Sequence, residues 1–84
     1  MELFNRPPTE KGSAATFTGD VWVDGIYAGA TREQARLAVV RFAPGARTHW
    51  HSHRLGQVLH VLEGVALLGS RDGTVIEARP GDTI

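Results

Sequence analysis

Residues Pro44 to Gly64 read PGARTHWHSHRLGQVLHVLEG and hold all four histidines of the chain. Three of them, His49, His51 and His53, fall at alternate positions. Side chains of a strand alternate between its faces, so these three share one face with Arg47 at its start, while Trp50 and Ser52 point the other way. Three imidazoles on an interior face are hard to satisfy with apolar neighbours, and a bound cation resolves the conflict. Imidazole suits Zn, Fe, Cu and Ni, and the order of affinities does not choose among them. Leu55-Gly56 permits a bend, after which Gln57 opens the next strand with an amide oxygen able to serve as a third ligand. The same parity groups Gln57 with Leu59 and Val61 and turns His60 away from the site. The plain alternative is an edge strand whose histidines face water. His49 has further alternatives of its own: a hydrogen-bond donor behind the ligands, a proton shuttle, or a residue at the mouth of the site.

The rest of the composition narrows the partners. The chain has 84 residues, no cysteine, and nine basic side chains balanced by nine acidic ones. That length allows one small domain, spanning residues 1–84, which buries only about 60–65% of the surface its unfolded chain exposes. No disulfide can reinforce it, so a metal or a partner subunit is the natural supplement. A neutral chain with scattered arginines lacks the basic stripe of a nucleic-acid binder. No run approaches the roughly 20 apolar residues of a membrane span, and the N-terminus lacks a signal-peptide core. The expected compartment is therefore cytoplasmic, with neither nucleic acid nor membrane as partner.

Short β segments separated by turns account for most of the sequence. Pro7, Pro8, Gly12 and Ser13 make residues 1–14 an arm or edge segment. In TFTGDVWVDGIY (residues 16–27), Gly19-Asp20 and Asp24-Gly25 read as turn points. ARLAVVRF (residues 35–42) places Leu37, Val39 and Arg41 on one face and Ala38, Val40 and Phe42 on the other, and Pro44-Gly45 closes it. TREQARLAVV (residues 31–40) carries a helix-start signal, Thr31 with Gln34, but its valines and Pro44 limit this to a helical turn before a strand. QVLHVLEG and VALLGS read as strands paired around Glu63-Gly64. Asp72-Gly73 is a hairpin signal, and PGD at residues 80–82 is a further turn. The expected class is all-β and antiparallel, a sandwich or barrel. Its core candidates are Phe42, Val40, Leu59, Val61, Leu67 and Val75 or Ile76. Trp22 and Trp50 suit ordinary sheet packing, and Arg54 a solvated loop.

The spacing in the opening stretch resembles the first motif of the cupin superfamily: Gly, five residues, HxH, three or four residues, Glu or Gln, six residues, Gly. Gly45, His51-Ser52-His53, Gln57 and Gly64 satisfy every interval. Gly73 and Pro80-Gly81-Asp82 resemble the beginning of the second motif, so the resemblance covers about residues 36–84. It implies an antiparallel jelly-roll barrel with a metal inside, held by His51, His53 and Gln57. The family's fourth ligand is a histidine several residues beyond the PGD turn. The chain ends at Ile84, so this ligand and the strands that close the barrel are expected beyond it, and the sequence is expected to be a fragment. The finer resemblance of PGARTHWHSHRLGQ is to small single-domain bacterial cupins, among them the manganese-dependent cupin hydroxynitrile lyases. That points to manganese first among divalent ions, with Fe, Ni, Co and Zn as alternatives, and to pairing as a homodimer.

Glutamine in place of glutamate leaves a divalent ion its full charge and favours an anionic or strongly polarised ligand beside it. The expected partner is a small organic molecule bound through an oxygen or a cyanide nitrogen. In a lyase, His49 would move the proton, and Arg47 would hold a substrate anion. In a dioxygenase the ion would be redox-active. A non-catalytic metal- or ligand-binding module, and less so a sugar epimerase or isomerase, remain alternatives, because fold is not function.

Overall fold

The computed structural model describes residues 1–84, which form two compact units, Met1–Ser52 and His53–Ile84. Seven strands are present, all paired antiparallel, with no helix. They are β1 (Glu10–Lys11), β2 (Phe17–Thr18), β3 (Val21–Ala28), β4 (Arg36–Phe42), β5 (Arg47–Thr48), β6 (Ala66–Gly69) and β7 (Val75–Ala78). The all-β antiparallel expectation holds. The sheets have three, two and two strands, and none closes on itself into a barrel.

In the first unit, β3 and β4 form the main hairpin, rich in valine, isoleucine and aromatic residues that suit a pleated surface. Their register sets Val21 opposite Phe42, Val23 opposite Val40 and Asp24 opposite Val39. Asp24-Gly25 is no turn but lies inside β3, where Ile26 is the extra residue of a bulge and the pairing jumps from Gly25 to Tyr27. A glycine within a strand often marks such a bulge or a close backbone approach. Both operate here, because a Cβ on Gly25 would stand 3.3 Å from Cγ of Pro7 in the N-terminal arm. Asp24 accepts a bond from the Thr9 hydroxyl and pairs with Arg41 at 3.1 Å, which gives it partners within the sheet that a turn would not supply. The arm itself joins the edge of the sheet through β1, which pairs with Trp22 and Val23.

The loop between β3 and β4 is a single turn in which Gln34 caps Ala30 rather than Thr31. The Gln34 N–H donates to Thr31 O at 3.2 Å, and the Gln34 side-chain oxygen accepts from the Ala30 N–H at 2.6 Å. At the far end of β4, the Ala46 N–H closes on Ala43 O at 2.9 Å around Pro44-Gly45, with Gly45 at φ 80°. Proline first and a left-handed residue second define a type II turn.

The second unit pairs its strands differently from the sequence reading. No hairpin forms around Glu63-Gly64. Instead β6 pairs with β7, with Leu68 opposite Ile76, about the Asp72-Gly73 turn. Residues 59–61 pair with the chain end: Leu59 and Ile84 exchange both backbone bonds at 2.9 Å, and His60 bridges Thr83. Gln57 therefore does not open a strand; residues 57 and 58 lie outside any ladder. The turn at residues 79–82 makes the pairing possible. It is a second type II turn, with Asp82 N–H on Arg79 O at 2.9 Å, Gly81 at φ 95°, and Asp82 Oδ2 accepting the Arg79 N–H at 2.7 Å.

Burial is sparse. Only Val21 and Ala78 are fully buried, at 0% and 1% exposure. Among the expected core residues Val61 is half-buried, whereas Phe42, Val40, Leu59, Leu67, Val75 and Ile76 are exposed, from 39% at Leu59 to 74% at Leu67. In β6 the half-buried face is that of Ala66 and Leu68, opposite to Leu67; elsewhere the apolar faces stay open because a sheet face is buried only when a second layer covers it. One three-stranded sheet and two-stranded ribbons provide little such cover.

Two predictions arise from the turns. Beside Gly45 and Gly81 the space is open, so alanine there strains only the backbone. Each substitution is expected to cost about 1–2 kcal/mol in urea unfolding. In the β6–β7 turn, the Asp72 carboxylate accepts from the Ser70 hydroxyl at 2.5 Å and the Thr74 N–H at 2.9 Å, and these bonds, that of Ser70 foremost, lower its pKa to about 2. Its contribution to stability is complete above the ordinary value of 3.8 and disappears as pH falls through about 2. NMR titration of the Thr74 amide should show that midpoint, and Asp72→Asn should abolish it.

Candidate metal centre

The histidine segment starts from a short ladder in the first unit. β2 and β5 pair Phe17 with Thr48 and Thr18 with Arg47. Directly opposed residues share a face, so Phe17 lies with Thr48 and Thr18 with Arg47. The Phe17 ring meets Phe42 edge to face, centroids 6.0 Å apart. Thr18 and Arg47 thus occupy the face away from that aromatic contact. The Arg47 side chain is exposed on this face, which suits contact with an external anion.

The strand stops at Thr48. The sequence reading carried one strand through His49, His51 and His53, but the chain bends at Trp50 and residues 49–53 form no ladder. Strand parity therefore applies to Arg47 and His49 but not to the histidines beyond the bend. The reason is local: residue 49 bonds to a turn rather than to a neighbouring strand. Its N–H donates to Thr16 O at 2.7 Å, and its ring reaches Ala15 O through Nδ1 at 3.0 Å. Thr16 and Phe17 donate in turn to Ser13 O at 3.0 and 2.9 Å, so the acceptors for residue 49 sit on a single helical turn.

Hydrogen-bond chemistry sets the tautomers. A carbonyl only accepts, so His49 carries its proton on Nδ1, and its Nε2 accepts from the Thr18 hydroxyl at 3.0 Å. His51 Nδ1 lies 2.8 Å from His49 O and is likewise the donor, which puts the His51 lone pair on Nε2. A metal-binding histidine characteristically gives its other ring N–H to a carbonyl or carboxylate in this way. On this observation His51 fits a metal.

The remaining candidates lie in the second unit. His53 accepts the Gly56 N–H at 3.0 Å through its backbone carbonyl, closing a turn whose Gly56, at φ 83°, delivers the chain to Gln57. Arg54 is exposed within this turn. His60 is engaged elsewhere, with Nδ1 2.8 Å from the Thr83 hydroxyl oxygen. No three His, Cys, Asp or Glu side chains gather into a metal-binding group. The expected set is of another kind, two imidazoles and an amide. Sequence reading missed Thr18 and the Ala15 carbonyl, the partners of the His49 ring. They lie 31 and 34 residues before it, and only the β2–β5 register brings them to it.

The comparisons with known proteins agree with the motif. The chain is 42% identical over 74 residues to an (R)-mandelonitrile lyase from Granulicella tundricola, an alignment covering 88% of this chain and 56% of that enzyme. The chain thus spans about half the length of the curated relative it matches. No solved structure matched. The Cupin domain family model matches residues 38–84, more than half of the chain and all of the histidine motif, and the chain belongs to the cupin family.

Proposed function

We propose that the chain is the metal-binding part of a cupin enzyme that cleaves a small hydroxynitrile. The observation that carries the reading is the 2.8 Å approach of His51 Nδ1 to His49 O, which assigns the ring proton to Nδ1 and the lone pair to Nε2. His51, His53 and Gln57 would hold a divalent ion, manganese first, as a neutral ligand set. When bound, such an ion supplies a Lewis acid that polarises an oxygen or a nitrile nitrogen. The likeness to a mandelonitrile lyase supports the choice of substrate class.

The chain's own residues would do the rest. In the cleavage of a hydroxynitrile the hydroxyl loses its proton, the bond between the carbinol and cyano carbons breaks, and a carbonyl compound and cyanide separate, cyanide taking up a proton. Arg47, exposed on the face it shares with Thr18, would attract the developing anion. His49 would carry the proton at Nε2. The Thr18 hydroxyl bonded there both donates and accepts, so it can turn when the nitrogen gains a proton.

Elemental analysis of the chain extended beyond Ile84, purified without chelator or affinity tag, is expected to find about one manganese per chain. His51→Ala should lose tight metal binding, and His60→Ala should keep it. Metal retained in the first variant, or lost in the second, would overturn the ligand assignment. With manganese restored, the extended chain should release benzaldehyde from mandelonitrile faster than its metal-free form does, and Arg47→Ala should reduce kcat/KM about tenfold or more. Metal bound with no cleavage would leave a binding module. Uptake of dioxygen with a redox-active ion would make the protein an oxygenase.

A further inference from the structure

Residue 49 is held at three points by the segment that ends in β2. Its N–H donates to Thr16 O at 2.7 Å, its Nδ1–H to Ala15 O at 3.0 Å, and its Nε2 accepts from Thr18 Oγ1 at 3.0 Å. Beyond it the chain leaves the ladder, so no strand neighbour directs the carbonyl of residue 49. That carbonyl accepts the His51 Nδ1–H at 2.8 Å. A ring anchored at both nitrogens fixes its own backbone, and the backbone oxygen then fixes which nitrogen of the next histidine carries the proton.

We propose that Thr18 and His49 are positioning residues for His51: the β2 hydroxyl locks the His49 ring, and the locked carbonyl of residue 49 selects the His51 tautomer that presents Nε2 to a metal. The proposal rests on the metal reading above. It assigns a role to Thr18, which no motif spacing marks. It also separates two things that substitution of His49 would otherwise confound, because the carbonyl belongs to the backbone and survives any change of side chain. Only its direction is at stake.

The test uses the full chain with Thr18→Val, Thr18→Ser and His49→Phe. Valine keeps the β-branched shape and removes the hydroxyl; serine restores it. Nitrogen-15 NMR of the imidazoles, in metal-free protein, should report His51 as the single Nδ1–H tautomer in the parent and in Thr18→Ser. Thr18→Val and His49→Phe should show both tautomers. Titration with Mn(II) alone should give a Kd about tenfold weaker for Thr18→Val and for His49→Phe, and unchanged for Thr18→Ser. The amides of the Phe17–Thr48 pair, read in the same samples, establish that the β2–β5 ladder is intact, and either substitution alone decides the question if the other disrupts it. A single Nδ1–H tautomer in both variants overturns the proposal, as does a mixed tautomer with parental affinity. Should the parent chain fail to bind Mn(II), the metal reading falls, while the tautomer spectra still judge the positioning of His51.

Discussion

Two residue pairs, Phe17 with Thr48 and Thr18 with Arg47, govern the arrangement of the histidine segment. This ladder has only two residue pairs, yet its two faces do different work. On one, Phe17 meets Phe42 and ties the ribbon to the end of β4. On the other, Thr18 reaches the His49 ring. A shift of one residue in this register would exchange the faces, sending the phenyl ring toward the histidine and the hydroxyl toward Phe42. The aromatic contact therefore specifies the register, and the register specifies the polar contact.

Turn chemistry was the most legible part of the sequence. Pro44-Gly45, Pro80-Gly81 and Asp72-Gly73 all form turns, and the Thr31–Gln34 segment closes one turn before β4. Such signals depend on backbone preferences of adjacent residues, so they are read without knowledge of distant strand partners. Pairing partners were less legible. Residues 59–61 were expected to pair with 65–70, their neighbours across Glu63-Gly64. They pair instead with residues 81–84, because the type II turn at 79–82 reverses the chain and offers Leu59 a complete backbone exchange with Ile84. Asp24-Gly25 carries a turn composition but sits in a strand, where Thr9 and Arg41 satisfy the carboxylate and the arm packs against the glycine.

The site was legible at the level of motif. Spacing singled out His51, His53 and Gln57 and led to the family that the comparison then established. The strand geometry behind it held only as far as His49. Beyond the bend at Trp50, the features that orient His51 are a carbonyl and a tautomer, which residue type alone does not encode. Period-two reasoning sorts side chains by face only while a ladder continues. The limit of the apolar reading was similar: it could not supply the layers that would cover an apolar face, it chose Leu67 where the less exposed face of β6 carries Ala66 and Leu68, and full burial is confined to Val21 and Ala78.

The single helical turn from Ser13 to Phe17 has a consequence for how this chain can vary. Ser13 receives the amides of Thr16 and Phe17 on its carbonyl and that of Ala15 on its hydroxyl, so the Ala15 carbonyl has a set direction. Successive residues of a helical turn are rotated by about 100°. An insertion or deletion of one residue between Ser13 and Phe17 would swing that carbonyl away from His49, even with every histidine left in place. Exposed loops ordinarily tolerate changes in length; this one is a measured spacer, and its residue count belongs to the histidine motif as much as the intervals within the motif do.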